Sequence, residues 1–178
     1  MPETAFTVPA DVSFQDAIAL TQSLLDQWEA GKLSDAVIEA TIAALVKTQA
    51  GARGFFVTYL TSDRPLADSP TPAVLAALRS APDVVPDLLV KNLAMSSAMA
   101  VAHRRSQDEE MAQGSQQVQT RAIALMRQLS LPEVQSLVEQ LQHSVTEHQG
   151  PYQEFLQRWQ YDAEQRDAIG QAIQRAIA

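Results

Sequence analysis

Phe55-Phe56-Val57-Thr58-Tyr59-Leu60 is the stretch on which the fold class turns. Its aromatic and β-branched residues favour a strand. A strand has to pair, however, because a lone one leaves its backbone N–H and C=O groups without partners. No second convincing strand accompanies it. The six residues are therefore expected to form a short buried helix. The whole chain is then all-α, an irregular or orthogonal helical bundle of about six to eight helices. The expected helix lengths are too unequal for a regular four-helix bundle.

Upstream of this stretch the helical signals are regular. Residues 1–12 hold two prolines and no helical period, and read as an extended N-terminal arm. Ser13 caps a first helix, with Asp16 in its first turn and Phe14, Ile18, Thr21, Leu25 and Trp28 at helical spacing. Gly31 stops it by tolerating a left-handed backbone. Ser34 caps a second helix, whose stripe is Val37, Ile38, Thr41, Ile42, Leu45 and Val46 and which ends by Gly51.

Downstream, residues 61–70 read as a loop. Thr71-Pro72 is a cap followed by a proline at the first turn, a good start for a short helix ending before Pro82. A long helical stretch runs from about Pro86 to about Gln107, with a continuation toward Gln128 that Gly114 and Ser115 would kink or break. Ser130-Leu131-Pro132-Glu133 matches a capping box, and so does Asp162-Ala163-Glu164-Gln165. Between the helices they open, Tyr152–Gln160 reads as a short aromatic helix. No Gly/Ser-rich linker divides the chain, so residues 1–178 are expected to be a single domain.

Composition narrows the function classes. The 178 residues are 46% hydrophobic, enough for a core of several helices without covalent staples. Cysteine is absent, which excludes disulfides, iron–sulfur clusters and thiolate zinc sites. The net charge is −8, with 13 basic and 21 acidic residues. Both halves share the imbalance: 8 basic and 11 acidic in residues 1–106, 5 and 10 in residues 107–178. Nucleic acid is therefore not an expected partner, because phosphate neutralisation supplies most of that affinity. An anionic membrane is disfavoured for the same reason. The N-terminus lacks the basic and apolar regions of a signal peptide, and no stretch has the ~20 apolar residues of a bilayer span. A cytoplasmic location is the expectation.

Two further stretches carry a resemblance. Gly51-Ala-Arg-Gly-Phe-Phe-Val-Thr-Tyr-Leu-Thr-Ser-Asp63 and Leu88-Leu-Val-Lys-Asn-Leu-Ala-Met-Ser-Ser-Ala-Met-Ala-Val-Ala-His-Arg-Arg105 lie within about a third of the chain. In them the chain resembles a group of small cyanobacterial helical proteins of unassigned function. The resemblance implies a phototroph host and no particular chemistry.

Catalytic signatures are missing: no phosphate loop, no dinucleotide fingerprint, no HExxH and no Glu-x-x-His pair. No catalytic residue, metal or cofactor is assigned. Several constellations remain, each with a plainer reading. Asn92, Ser96, Met99 and His103 share one face of the 86–107 helix, opposite a core face of Val90, Leu93, Ala94, Ser97 and Val101. With Arg53 and Tyr59 they form the candidate ligand-binding set, Asn92 orienting and His103 acting as acid, base or contact. The plainer reading is that they are satisfied polar groups in a tight helix crossing. His143, Glu147 and His148, with Glu139 one turn earlier, have a metal-like spacing but read more simply as a solvated cluster. The run Arg104–Glu110 offers the helical pairs Arg104/Asp108 and Arg105/Glu109.

Tyr152, Phe155, Trp159 and Tyr161 place four of the ten aromatics within ten residues. They either anchor a short helix or form a partner-binding patch. Glutamine, at 16 of the last 72 positions, reads as the polar face of the surrounding helices. The expected function is that of a non-enzymatic protein-interaction factor, of assembly or regulatory type, with a protein partner or a homodimer. The alternative is a small-molecule-binding protein or enzyme with its pocket on the 86–107 helix.

Overall fold

A computed structural model of the protein describes residues 6–178. The described residues form nine α-helices and one 3-10 turn, and contain no strand. The fold class is all-α. The helices are α1 (Phe14–Glu29), α2 (Asp35–Leu45), α3 (Gln49–Thr61), α4 (Pro72–Arg79), α5 (Val85–Arg105), α6 (Glu109–Leu129), α7 (Pro132–Glu147), α8 (Gln153–Arg158) and α9 (Ala163–Ile177). Among the described residues no helix is long and apolar enough to cross a membrane. Of the expected N-terminal arm, residues 1–5 lie outside the described residues, and residues 6–12 are not helical.

Contacts cluster into two compact units, Met1–Leu88 and Leu89–Ala178. In the first, α1 packs along α3 and α2 packs against α4. The Phe55–Leu60 stretch is helical, as the second half of α3. This helix starts earlier than its aromatic text: the Thr48 side chain accepts from the Gly51 amide at 3.1 Å and caps it. Phe55, Phe56, Tyr59 and Leu60 are buried, while Arg53, Val57 and Thr61 are exposed. That alternation follows the 3.6-residue period of a helix. The core of this unit is completed by Leu24, Leu25, Ile38, Ile42, Leu45, Val74 and Leu78.

The glycines of α3 serve packing. A Cβ on Gly54 would lie 2.5 Å from the Ala17 Cβ and 2.8 Å from the Phe14 carbonyl oxygen. One on Gly51 would lie 2.1 Å from the Leu45 carbonyl oxygen. Both sites therefore need a residue without a side chain for the backbones to approach. At the C-terminal end of α1, Arg64 bonds Asp26 and Glu29 and ties the loop after α3 to α1.

In the second unit α6 and α7 each pack on α9, and α8 packs on α7. The core comes from Leu93, Ala98, Ala122, Leu125, Leu129, Leu141, Leu156, Ile169 and Ile173. Gln119, buried on α6, donates to Ser97 Oγ of α5 at 2.7 Å and accepts from Arg175 of α9 at 2.9 Å. One side chain thereby joins three helices, and its polar atoms are satisfied. Arg127 donates to the carbonyl oxygens of Arg175 and Ala178, the C-terminal end of α9, where a cation complements the helix dipole.

Three local expectations are corrected. Gly114 lies inside α6, and the break comes earlier, at residues 106–108, where Gln107 has φ 59° and Asp108 caps α6. Ser130 does not form a capping box. It ends α6 in the left-handed region (φ 50°) and its hydroxyl donates to the Arg127 carbonyl oxygen. Pro132 occupies the first turn of α7, which leaves Leu131 at the cap without a side-chain bond. The Arg104/Asp108 and Arg105/Glu109 pairs fail because this break separates them. Asp108 accepts from the Met111 amide, and Arg104 reaches Gln116 at 3.1 Å.

Candidate functional site

The aromatic segment sits between α7 and α9. Two tight backbone features set its path: His148 is left-handed (φ 56°), and Gly150 has φ 107°. Glycine tolerates the second where other residues are strained. The Tyr152 amide then donates to the buried Ser144 Oγ at 3.1 Å, fastening the start of α8 to α7. After α8 the chain turns again at Gln160 (φ 53°) and enters α9 through the Asp162/Gln165 capping box, which forms as read.

Three of the four rings pack inward. Tyr152 is 4% exposed and Tyr161 8%. Half-buried Phe155 meets both edge-on, with centroids 6.4 Å from each. Burial pushes the Tyr161 hydroxyl up to about 12. Trp159, the C-terminal cap of α8, differs: it remains 52% exposed.

The segment is clamped from α5. Arg105 bonds both Asp162 oxygens, at 2.5 and 3.1 Å, and also Glu164 through Nε at 3.0 Å. Gln165 reaches the Ala98 carbonyl oxygen at 3.2 Å. The Arg105 bonds, helped by the Gln165 amide, lower the Asp162 carboxyl from 3.8 to about 2. Because the folded state holds this carboxyl ionised, its contribution to stability is complete above about pH 4. It is lost as pH falls toward 2. In Arg105→Gln the Asp162 carboxyl is expected to titrate closer to 3.8, read by carbon-detected NMR. A titration left near 2 would contradict the clamp.

Sequence reading missed Arg105 in this role. The acidic first turn of α9 was a visible signal, but its partner lies 57 residues away.

The candidate ligand set on α5 has a different character. Ser96 donates within its own helix, to the Asn92 and Leu93 carbonyl oxygens, and so does Ser97, to Leu93. Asn92 and His103 are half-buried, and Met99 is 40% exposed. Val90, Leu93, Ala94 and Ser97 are buried and Val101 half-buried, in line with the expected core face. Arg53 and Tyr59 lie in the first unit, on α3. Arg53 is exposed and sits over the Phe14 ring, 5.1 Å from its centroid. Tyr59 is fully buried and stacks on Phe55. His143, Glu147 and His148 are all exposed, and the described residues contain no group of three or more metal-ligating side chains.

Residues 13–176 match a family described as Uncharacterised conserved protein UCP020893. The chain belongs to this family. The match covers most of each unit. No curated protein and no solved structure matches the chain.

Proposed function

We propose that the chain is a non-enzymatic interaction factor, of assembly or regulatory type, that engages a protein partner or a second copy of itself through the face around Trp159. The observation that carries this reading is the contrast within one aromatic cluster. Tyr152, Phe155 and Tyr161 hold a rigid base, while Trp159 keeps half of its surface in solvent. Tryptophan is among the residues most enriched where binding energy concentrates. A base fixed by the Ser144 bond and the Arg105 clamp presents the indole with little ordering left to complete on binding. The resemblance to cyanobacterial proteins supports a phototroph host, and a cytoplasmic location belongs to the same proposal.

Trp159→Ala tests the reading. Because the indole is half exposed, the variant is expected to lose under about 1 kcal/mol of stability. Loss of a central anchor, about 2 kcal/mol of binding, would weaken association roughly 30-fold. Association is measured by sedimentation of the protein in the assembly recovered from its source, and stability by urea unfolding. A variant that unfolds instead would show the ring to be part of the core.

A further inference from the structure

Helix α8 turns one side toward solvent. Glu154, Phe155, Arg158 and Trp159 stand at i, i+1, i+4 and i+5, which on a helix is one face. Trp159 keeps helical geometry although it is the cap: φ is −87°, ψ is −3°, and its amide donates to the Phe155 carbonyl oxygen. Glu154, Arg158 and Trp159 are exposed, and Phe155 is half-buried. The side that packs inward carries Tyr152 and Leu156.

The charges on the outer face are balanced. Glu154 sits in the first turn and Arg158 in the last, each where the helix dipole favours it. Among the described residues neither takes part in an ion pair. The carboxylates that follow in the chain, Asp162 and Glu164, are already engaged by Arg105. The face therefore offers one anion and one cation about 6 Å apart along the helix axis. Phe155 and Trp159 lie beside them.

Such a pattern is its own complement. When a second α8 is laid antiparallel to the first about a two-fold axis, Glu154 of each copy lies opposite Arg158 of the other. The same register, shifted by two residues, brings Trp159 of each copy toward Phe155 of the other. Two-fold contacts use one self-complementary patch on both subunits. We propose that the occupant of the Trp159 face is a second copy of this chain, paired through α8 in this antiparallel register. The inference rests on the reading of that face given above and names its partner. The net charge of −8 does not prevent it, because exposed charges farther apart than about 8 Å are largely screened at physiological salt. One short helix face makes a small interface, so the dimer belongs to the weak, exchanging class.

The test is sedimentation equilibrium of the full chain across a concentration series, with Glu154→Arg, Arg158→Glu and the variant carrying both. The parent is expected to reach a dimer. Each single reversal sets like charges opposite one another at both ends of the contact and should weaken it about tenfold or more. The double reversal re-creates the complementary pattern and should return to within about threefold of the parent. It carries the helix-dipole penalty of both single variants, so a recovered dimer does not come from a better-folded α8. A parent that stays monomeric at every concentration would overturn the pairing; whether Trp159 engages a different protein is then read from the assembly recovered from the source. A dimer indifferent to the single reversals, or one that the double reversal does not restore, would overturn it as well. Loss of that dimer in Trp159→Ala would then keep the face and reject the register.

Discussion

Phe55→Ala is expected to lower the free energy of unfolding by about 3–5 kcal/mol, the range for removing a buried ring. Phe55 has no exposed surface, stacks on Tyr59 at a centroid distance of 5.2 Å and meets Phe56 edge-on at 5.3 Å. Its removal takes away both contacts and opens a cavity that the facing helices, already in close approach, have little freedom to close. Urea unfolding followed by circular dichroism measures the change. A loss below about 1 kcal/mol would mean that the aromatic cluster is not the centre of the first unit's core.

Gly54→Ala is expected to destabilise by about 1–2 kcal/mol, although alanine is the better helix former. The opposing terms differ in size. Replacing glycine in a helix interior gains about 1 kcal/mol at most. The added methyl, however, would stand 2.5 Å from the Ala17 Cβ and 2.8 Å from a backbone oxygen, distances at which α1 has to move. Overpacking of this kind costs about 1–3 kcal/mol and more where backbone is the obstacle. Gly114→Ala is the matched control, since a Cβ there meets nothing within 4 Å. It is expected to stabilise by about 0.5–1 kcal/mol. If both substitutions raise the urea midpoint, α1 and α3 are not in the close contact described.

These two glycines show where reading the sequence stopped. Gly51 and Gly54 were visible as a weak glycine pair, and Gly51 as the point by which α2 would have ended. A close helix crossing depends on which helix arrives opposite, and nothing local encodes that. The hexapeptide Phe55–Leu60 was ambiguous because six residues do not span two helical turns. Extended to Gln49–Thr61, the same text shows buried positions at 52, 55, 56, 59 and 60, a helical stripe. Local capping was legible at Ser13, Ser34, Thr71 and Asp162, and missed at Thr48 and Asp108. It was misread at Ser130, which is already committed to ending α6.

The candidate site was legible only as composition. Four aromatics in ten residues marked the segment, but which ring faces solvent follows from the turns at Gly150 and Gln160 and from the Arg105 clamp. The clamp itself was hidden because the break at residues 106–108 frees Arg105 from the helical pairing that its spacing suggested.

Native mass spectrometry of the protein isolated from its own source, beside its Trp159→Ala variant, tests the interaction reading most directly. The account predicts a dimer or a stoichiometric protein complex for the parent and its loss in a variant that keeps the parent's stability. A parent that flies as a bare monomer, or a complex that survives intact in Trp159→Ala, would contradict it.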